Sequence, residues 1–141
     1  DDFPTEGVEL TQLLVVSNLS RSRDFYRDVL GAEDIESMDE LPVYFNFKIL
    51  AALVTGGGPT VDKPSVTFAP PRDADVVSHQ LTIRVPDCQK AYKVLRERGA
   101  EFLTPPNDRN GEIRCFFRDP DGHLLEISEG NLEIFLHIIR I

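Results

Sequence analysis

Two stretches of this sequence share one pattern, TQLLVVSNLSRSRDFYRDVLGAE at residues 11–33 and QLTIRVPDCQKAYKVLRERGAEF at residues 80–102. Each begins with a run rich in Leu, Val and Ile that is typical of a β-strand. An apolar stripe close to the helical period follows and ends at a glycine, so a helix is predicted, capped by Asn18 or Ser20 in the first copy and by Asp87 in the second. The strands are predicted at residues 10–17 and 80–85.

Short β-forming runs follow each helix. They lie at residues 35–38, 43–47 and 50–55 in the first copy and at 100–103, 113–117 and 123–128 in the second, with one more at 66–69 between the copies. The sequence therefore predicts an internal repeat of strand, helix and three strands. Because one such unit buries too little surface to be stable alone, we expect a single α+β domain built from two units.

The predicted domain covers the whole chain, residues 1–141. Module 1 is expected at about 9–58, a connector at 59–77, module 2 at about 78–129 and an apolar C-terminal extension at 130–141.

The composition excludes several classes of function. The 141 residues contain 15 Lys and Arg against 24 Asp and Glu, a net charge of -9, so binding to nucleic acid or to an anionic membrane surface is not expected. No apolar run approaches the roughly 20 residues that span a bilayer.

Cys88 and Cys115 form no CxxC motif and are expected to be free thiols in a cytoplasmic protein.

Strand alternation divides the second copy into two faces. Leu81, Ile83 and Val85 point one way, toward the helix, while Gln80, Thr82 and Arg84 point the other way. In the last strand the apolar side chains Leu125 and Ile127 likewise oppose Glu126. Two curved sheets with helices on one face and mixed residues on the other would enclose a cleft, which is a usual place for a ligand.

Three segments resemble the vicinal oxygen chelate superfamily, which includes glyoxalase I, extradiol ring-cleavage dioxygenases, fosfomycin-resistance enzymes and bleomycin-binding proteins. They are NLSRS at 18–22 leading to FY at 25–26 and LG at 30–31; VPD at 85–87 leading to RGAEF at 98–102; and FRDPDGHLLEI at 117–127. The resemblance implies two βαβββ modules that form an eight-stranded, incompletely closed barrel-like mixed sheet with the helices outside. It also implies a homodimer.

The resemblance also implies positions for metal ligands, which are His, Gln or Glu in the metal-dependent members. These positions carry Thr11, Gln80 and Glu126 in this chain, and the strand around residues 51–54 offers no carboxylate. Two plausible oxygen donors without a histidine make a poor divalent site. We therefore predict no cofactor, with a divalent metal held by Gln80 and Glu126 as the alternative.

Glu126 is the candidate catalytic residue, as a ligand-contacting carboxylate or general base, and the alternative is a carboxylate paired with a cation such as Arg84. Gln80 is expected to bind a ligand or to satisfy backbone groups at the start of its strand. Strand alternation adds three further ligand-binding candidates, Thr11, Thr82 and Arg84.

Cys115 is a further ligand-binding candidate on one condition. If residues 119–122 form a four-residue turn, Cys115 pairs opposite Glu126 and lies on the same face. The alternative is a buried, unreactive cysteine.

The predicted function is that of a glyoxalase/bleomycin-resistance/dioxygenase-like protein whose cleft binds a small organic molecule without the complete metal centre. The alternative is a metal-dependent lyase, isomerase or ring-cleavage dioxygenase that chelates vicinal substrate oxygens. A third class, a pure interaction protein, would have a cleft filled by side chains.

Overall fold

The computed structural model describes residues 3–36, 43–47 and 49–130. The chain has an α+β fold with two four-stranded sheets. It divides into two compact units, Asp1–Pro70 and Pro71–Ile141, so the boundary falls inside the predicted connector. The end of the predicted strand at 35–38 and nearly all of the C-terminal extension lie outside the described residues.

The first unit contains β1 (Thr11–Val16), α1 (Leu19–Asp24), β2 (Glu33–Glu36), β3 (Val43–Phe47) and β4 (Ile49–Thr55). A π-helical turn, Phe25–Val29, continues α1 directly. The sheet order is β1-β4-β3-β2, with β1 parallel to β4 and the other pairs antiparallel. The Asn18 side chain caps α1 by accepting a hydrogen bond from the Arg21 N–H at 3.0 Å, which confirms the first of the two predicted caps.

The second unit contains β5 (Leu81–Arg84), α2 (Cys88–Glu97), β6 (Asn107–Arg109), β7 (Glu112–Arg118) and β8 (Leu124–Glu129). Its sheet repeats the order of the first, β5-β8-β7-β6, with β5 parallel to β8. Asp87 caps α2 by accepting from the Lys90 N–H at 3.0 Å. Neither helix in the described ranges has the length and hydropathy that a membrane span requires.

Two predicted strands are wrong. Residues 66–69 and 100–103 each form only an isolated bridge, Phe68 with Gly57 and Phe102 with Phe117. The fourth strand of the second sheet is instead β6, whose polar residues Asn107–Arg109 carry no β-forming signal. It forms because a tight turn, with Asn110 at φ 57° and Gly111 at φ 86°, folds this segment back onto β7.

The core of the second unit lies between α2 and one face of its sheet. Tyr92 of α2 contacts Phe102, and Phe102 contacts Phe117 of β7, each pair with ring centroids 4.8 Å apart. Leu125 and Ile127 of β8 are fully buried. Leu125 is the direct partner of Phe117, which lies in this core, so the register confirms the predicted parity and puts the intervening side chains of β8 on the opposite face of the sheet.

The bridge beyond β4 supplies a test of the first unit. Gly57 and Phe68 exchange two backbone hydrogen bonds of 2.9 and 2.8 Å, and a Cβ at Gly56 would collide with the Phe68 carbonyl oxygen. We expect Gly56→Ala to lower the free energy of unfolding by about 1–3 kcal/mol, because the bridge must separate to admit the methyl group. Urea denaturation measures this change.

Gly57→Ala is the matched control, since a Cβ at Gly57 meets nothing within 4 Å. Its free energy of unfolding should stay within about 0.5 kcal/mol of the wild-type value. Equal losses in the two variants would contradict the close approach of Phe68 to Gly56.

Candidate functional site

A hydrogen-bonded trio of polar side chains lies at the start of β5 and the middle of β8. The Gln80 amide donates from Nε2 to Glu126 Oε1 at 2.9 Å and to Thr82 Oγ1 at 3.0 Å. Thr82 and Glu126 are direct partners in the parallel β5–β8 register. The structure thus brings together three residues that the sequence predicted as site candidates.

Burial sets the electrostatics of this trio. The Glu126 side chain belongs to the buried polar residues, at 6% exposure, whereas Gln80 and Thr82 are exposed. A buried carboxylate needs hydrogen-bond donors, and the Gln80 amide supplies one to Oε1. The second carboxylate oxygen, Oε2, makes no hydrogen bond within the described part of the chain, so it can accept one from a ligand.

The turn between β7 and β8 positions Glu126. The Asp119 carboxylate accepts hydrogen bonds from the N–H groups of Asp121 and His123, both at 2.9 Å. The Asp119 N–H also donates to the His123 carbonyl at 3.0 Å, and Gly122 takes a φ of 94°. These bonds fix a five-residue connection, residues 119–123, and with it the pairing of β7 with β8.

The face of the second sheet that carries Glu126, here called the polar face, follows from this register. On β5, β7 and β8 it comprises Thr82, Arg84, Glu112, Arg114, Phe116, Arg118, Leu124, Glu126 and Ser128. Phe116 lies directly opposite Glu126, and the Arg114 guanidinium is 5.5 Å from the centroid of the Phe116 ring. The sequence analysis did not single out Phe116; alternation counted back from Glu126 across a five-residue connection is the signal that places it on this face.

Cys115 does not lie on the polar face, so the predicted arrangement is wrong. It pairs with Ile127 rather than with Glu126, because the connection has five residues and not four. A slip of one residue moves every side chain to the other face of the sheet. Cys115 is instead buried against α2, where its Sγ lies 3.8 Å from Sγ of Cys88.

Arg84 lies on the polar face as predicted, but it is not the partner of Glu126. Its guanidinium is 3.7 Å from Glu112 Oε1. The alternative role for Glu126, an ion pair with Arg84, is therefore wrong, and Gln80 takes that place. Thr11 begins β1 in the first unit and is exposed, whereas the other candidates belong to the second unit.

The trio by itself supplies fewer ligands than a divalent metal centre requires. At the predicted ligand positions the second unit offers one carboxylate, Glu126, and one amide oxygen, that of Gln80. Within residues 3–36, 43–47 and 49–130, no group of three or more His, Cys, Asp or Glu side chains is placed to hold an ion. Protein metal sites usually supply three or more ligands of suitable type.

The thiol pair gives a prediction about pH. Burial, followed by the nearby Cys88 thiol, raises the pKa of Cys115 from 9.0 to about 12. The folded chain therefore keeps a proton that the unfolded chain releases, and the free energy of unfolding falls as pH rises from about 9 toward 12. We expect Cys115→Ala to show a shallower fall over this range in urea denaturation with reductant present, whatever its stability at neutral pH. Equal slopes for wild type and variant would contradict the burial of this thiol.

Comparison with known proteins agrees with this fold. The family model for the Glyoxalase/Bleomycin resistance protein/Dioxygenase superfamily matches residues 9–127. Metallothiol transferase FosB of Staphylococcus haemolyticus (strain JCSC1435) is 31% identical over 122 residues, which cover 84% of this chain and 80% of that protein.

Solved structures show the same fold at lower identity. A glyoxalase/bleomycin resistance protein/dioxygenase from Nocardioides has a TM-score of 0.68 and 23% identity, over 89% of this chain and 85% of that one. The fosfomycin resistance protein FosX from Listeria monocytogenes has a TM-score of 0.65 and 18% identity, over 92% of this chain and 98% of that one. By the extent of the family match and the identity to FosB, this chain belongs to the glyoxalase/bleomycin resistance protein/dioxygenase superfamily.

Proposed function

We propose that this protein binds a small organic molecule against the polar face of the second sheet, with Glu126 as the main polar contact. The observation that carries the proposal is the buried Glu126 carboxylate, which is held by Gln80 through Oε1 and keeps Oε2 for a hydrogen-bond donor of the ligand. Burial of a carboxylate costs free energy, and such groups are concentrated at binding and catalytic sites.

Each neighbour of Glu126 has a defined part in this proposal. Gln80 fixes the orientation of the carboxylate, and the Thr82 hydroxyl, which accepts from Gln80, directs its own proton toward the ligand. The ring of Phe116, opposite Glu126 in the register, offers an apolar surface for a flat or aliphatic part of the molecule. The Glu126 carboxylate then accepts a hydrogen bond, or a proton, from a hydroxyl or amine of the ligand.

The surrounding architecture is part of the same proposal. The family membership supports a single domain in which the two sheets form an eight-stranded, incompletely closed barrel-like arrangement around a cleft. It also supports a homodimer, and the two reduced cysteines suit a cytoplasmic protein. The acidic net charge of -9 argues against nucleic acid as a partner.

We further propose that binding does not require the complete metal centre of the metal-dependent relatives. Thr11 carries a hydroxyl at the first implied ligand position, and residues 51–54 supply only apolar side chains. The similarity to a protein named a metallothiol transferase favours a second candidate, a metal-dependent enzyme acting on vicinal substrate oxygens. In that candidate Gln80 and Glu126 would be two of the ligands.

Substitution of Glu126 tests the main proposal. In a thermal-shift screen of small molecules that carry hydroxyl or amine donors, we expect some to stabilise the wild type. Glu126→Gln should bind those same molecules about tenfold more weakly, because a neutral amide replaces the charged acceptor. Glu97→Gln, at the exposed end of α2, is the matched control and should bind them as the wild type does. Unchanged affinity in Glu126→Gln would refute the placement of the site.

Metal analysis separates the two candidate functions. Protein purified without chelator is analysed for bound ions and then screened by thermal shift with Mn, Ni, Zn and Fe ions. The binding function predicts no ion near one per chain and no stabilisation that Glu126→Ala removes. One ion per chain, with stabilisation abolished in Glu126→Ala, would establish the metal-dependent enzyme instead.

A further inference from the structure

We propose that Asp75 and Arg118 are positioning residues for the Glu126 site. Their ion pair holds residues 75–80, here called the strap, so that Gln80 stays bonded to the Glu126 carboxylate. The inference rests on the proposed function and adds two residues that govern the order of the same site. Both act on Glu126 through Gln80, the last residue of the strap.

The strap is attached to the second sheet at both ends. At its first residue, Arg118 donates from Nη2 to Asp75 Oδ1 at 2.7 Å, which is the length of a charge-assisted hydrogen bond. At its last residue, the Gln80 amide nitrogen donates to Glu126 Oε1 at 2.9 Å and to Thr82 Oγ1 at 3.0 Å, so both of its protons have acceptors. Residues 76–79 between these attachments are exposed.

The sheet register places the two attachments at the same level. Arg118 of β7 is the direct partner of Leu124 on β8. Gln80 precedes Leu81, which is the partner of Leu125, so Gln80 is level with Leu124 on the other side of β8. The strands β7 and β5 are two spacings apart, about 10 Å, and a chain of this length reaches at most about 17 Å. The strap is therefore long enough to join one end of β7 to the start of β5.

The turn at the start of the strap lies against the β7–β8 connection. The Val76 N–H donates to the Asp73 carbonyl at 3.1 Å, and the Asp75 N–H donates to Asp73 Oδ1 at 3.0 Å. A Cβ at Gly122 would lie 3.1 Å from the Cβ of Ala74, so the two segments are in close contact. The connection that sets the β7–β8 register therefore also supports the strap.

The surroundings of Arg118 favour its pairing with Asp75. The Arg118 side chain is 28% exposed, and its Nε is buried without a hydrogen-bond partner in the described residues. A partly desolvated cation gains from a nearby carboxylate. The Asp75 side chain is 84% exposed, so salt screens the pair and its contribution stays within about fivefold in an equilibrium constant. The ion pair therefore favours the closed strap without locking it.

The effect of the ion pair on Gln80 is entropic. Gln80 is exposed, whereas the Glu126 carboxylate that it holds is buried, at 6% exposure. To keep a surface residue in one position costs conformational entropy. This cost is smaller when the chain five residues earlier is already fixed by Asp75, because the free segment is shorter. Loss of the ion pair should therefore increase the fraction of time for which Gln80 is detached from Glu126.

Solvent exchange of the Gln80 side-chain amide protons tests this role in the full chain, with no added molecule. Their exchange rate, measured by NMR, is proportional to the fraction of time for which their hydrogen bonds are open. Asp75→Ala should raise this rate about two- to fivefold, while the backbone amides of α2 exchange as in the wild type. Glu101→Ala removes another exposed carboxylate of the second unit, is the matched control and should leave the rate unchanged.

A double variant and salt show whether the ion pair is responsible. Arg118→Gln should also raise the Gln80 exchange rate, and Asp75→Ala/Arg118→Gln should exchange no faster than Arg118→Gln alone, since both substitutions remove the same pair. Sodium chloride at about 1 M should raise the wild-type rate toward that of Asp75→Ala and leave the rate of Asp75→Ala unchanged.

Three results would overturn the inference. They are a wild-type exchange rate in Asp75→Ala, effects of the two substitutions that multiply in the double variant, and an equal acceleration of the α2 amides, which would show general destabilisation instead of a role at Gln80.

Failure of this inference is distinguishable from failure of the proposed function. The exchange measurement concerns Gln80 in the chain without ligand, so its outcome does not depend on whether Glu126 binds one. If Glu126→Gln keeps the wild-type affinity for hydroxyl and amine molecules, the proposed function fails even when Asp75→Ala accelerates the exchange of Gln80. If only the exchange result fails, the Glu126→Gln result still decides the proposed function.

Discussion

The pairing of β7 with β8 is the constraint on which the second unit depends. It is set by the buried Asp119 carboxylate, which accepts two backbone N–H groups and closes a connection of five residues. Side chains alternate strictly along a strand, so this connection decides which residues meet the core and which meet the polar face. With four residues instead of five, Cys115 would be the direct partner of Glu126 and Phe116 would move to the face packed against α2.

The two faces have opposite chemistry because of that assignment. Against α2, the thiols of Cys88 and Cys115 and the rings of Tyr92, Phe102 and Phe117 exclude water, and burial raises the pKa of both thiols. A raised pKa keeps the sulfur protonated and unreactive near neutral pH. On the polar face the same sheet presents a carboxylate, hydroxyls and guanidinium groups. The candidates Thr82 and Glu126 therefore lie on the side of this sheet away from α2.

Within the polar face, two arrangements are independent of each other. Glu126 obtains its hydrogen bond from Gln80, a residue that precedes β5, and so the carboxylate does not need an arginine to be stable. Arg84 is oriented toward Glu112 at a distance that leaves the pair weak. On this face the Glu126 carboxylate and the Arg84 guanidinium therefore have separate partners.

The sequence by itself determined the repeat, the Asp87 cap of α2, the strand parity of β5 and β8 and the family, because these depend on local periodicity and short motifs. It also placed Gln80, Thr82 and Glu126 among the site candidates, because side chains alternate between the two faces of a strand. Only the tertiary structure decided the length of the β7–β8 connection and the burial of the Ser128 hydroxyl, which has no hydrogen-bond partner in the described residues. It also decided that Glu126 accepts a hydrogen bond from Gln80, and that Arg84 forms its ion pair with Glu112. These features depend on pairing between distant strands, where a difference of one residue reverses a face and leaves no trace in local composition.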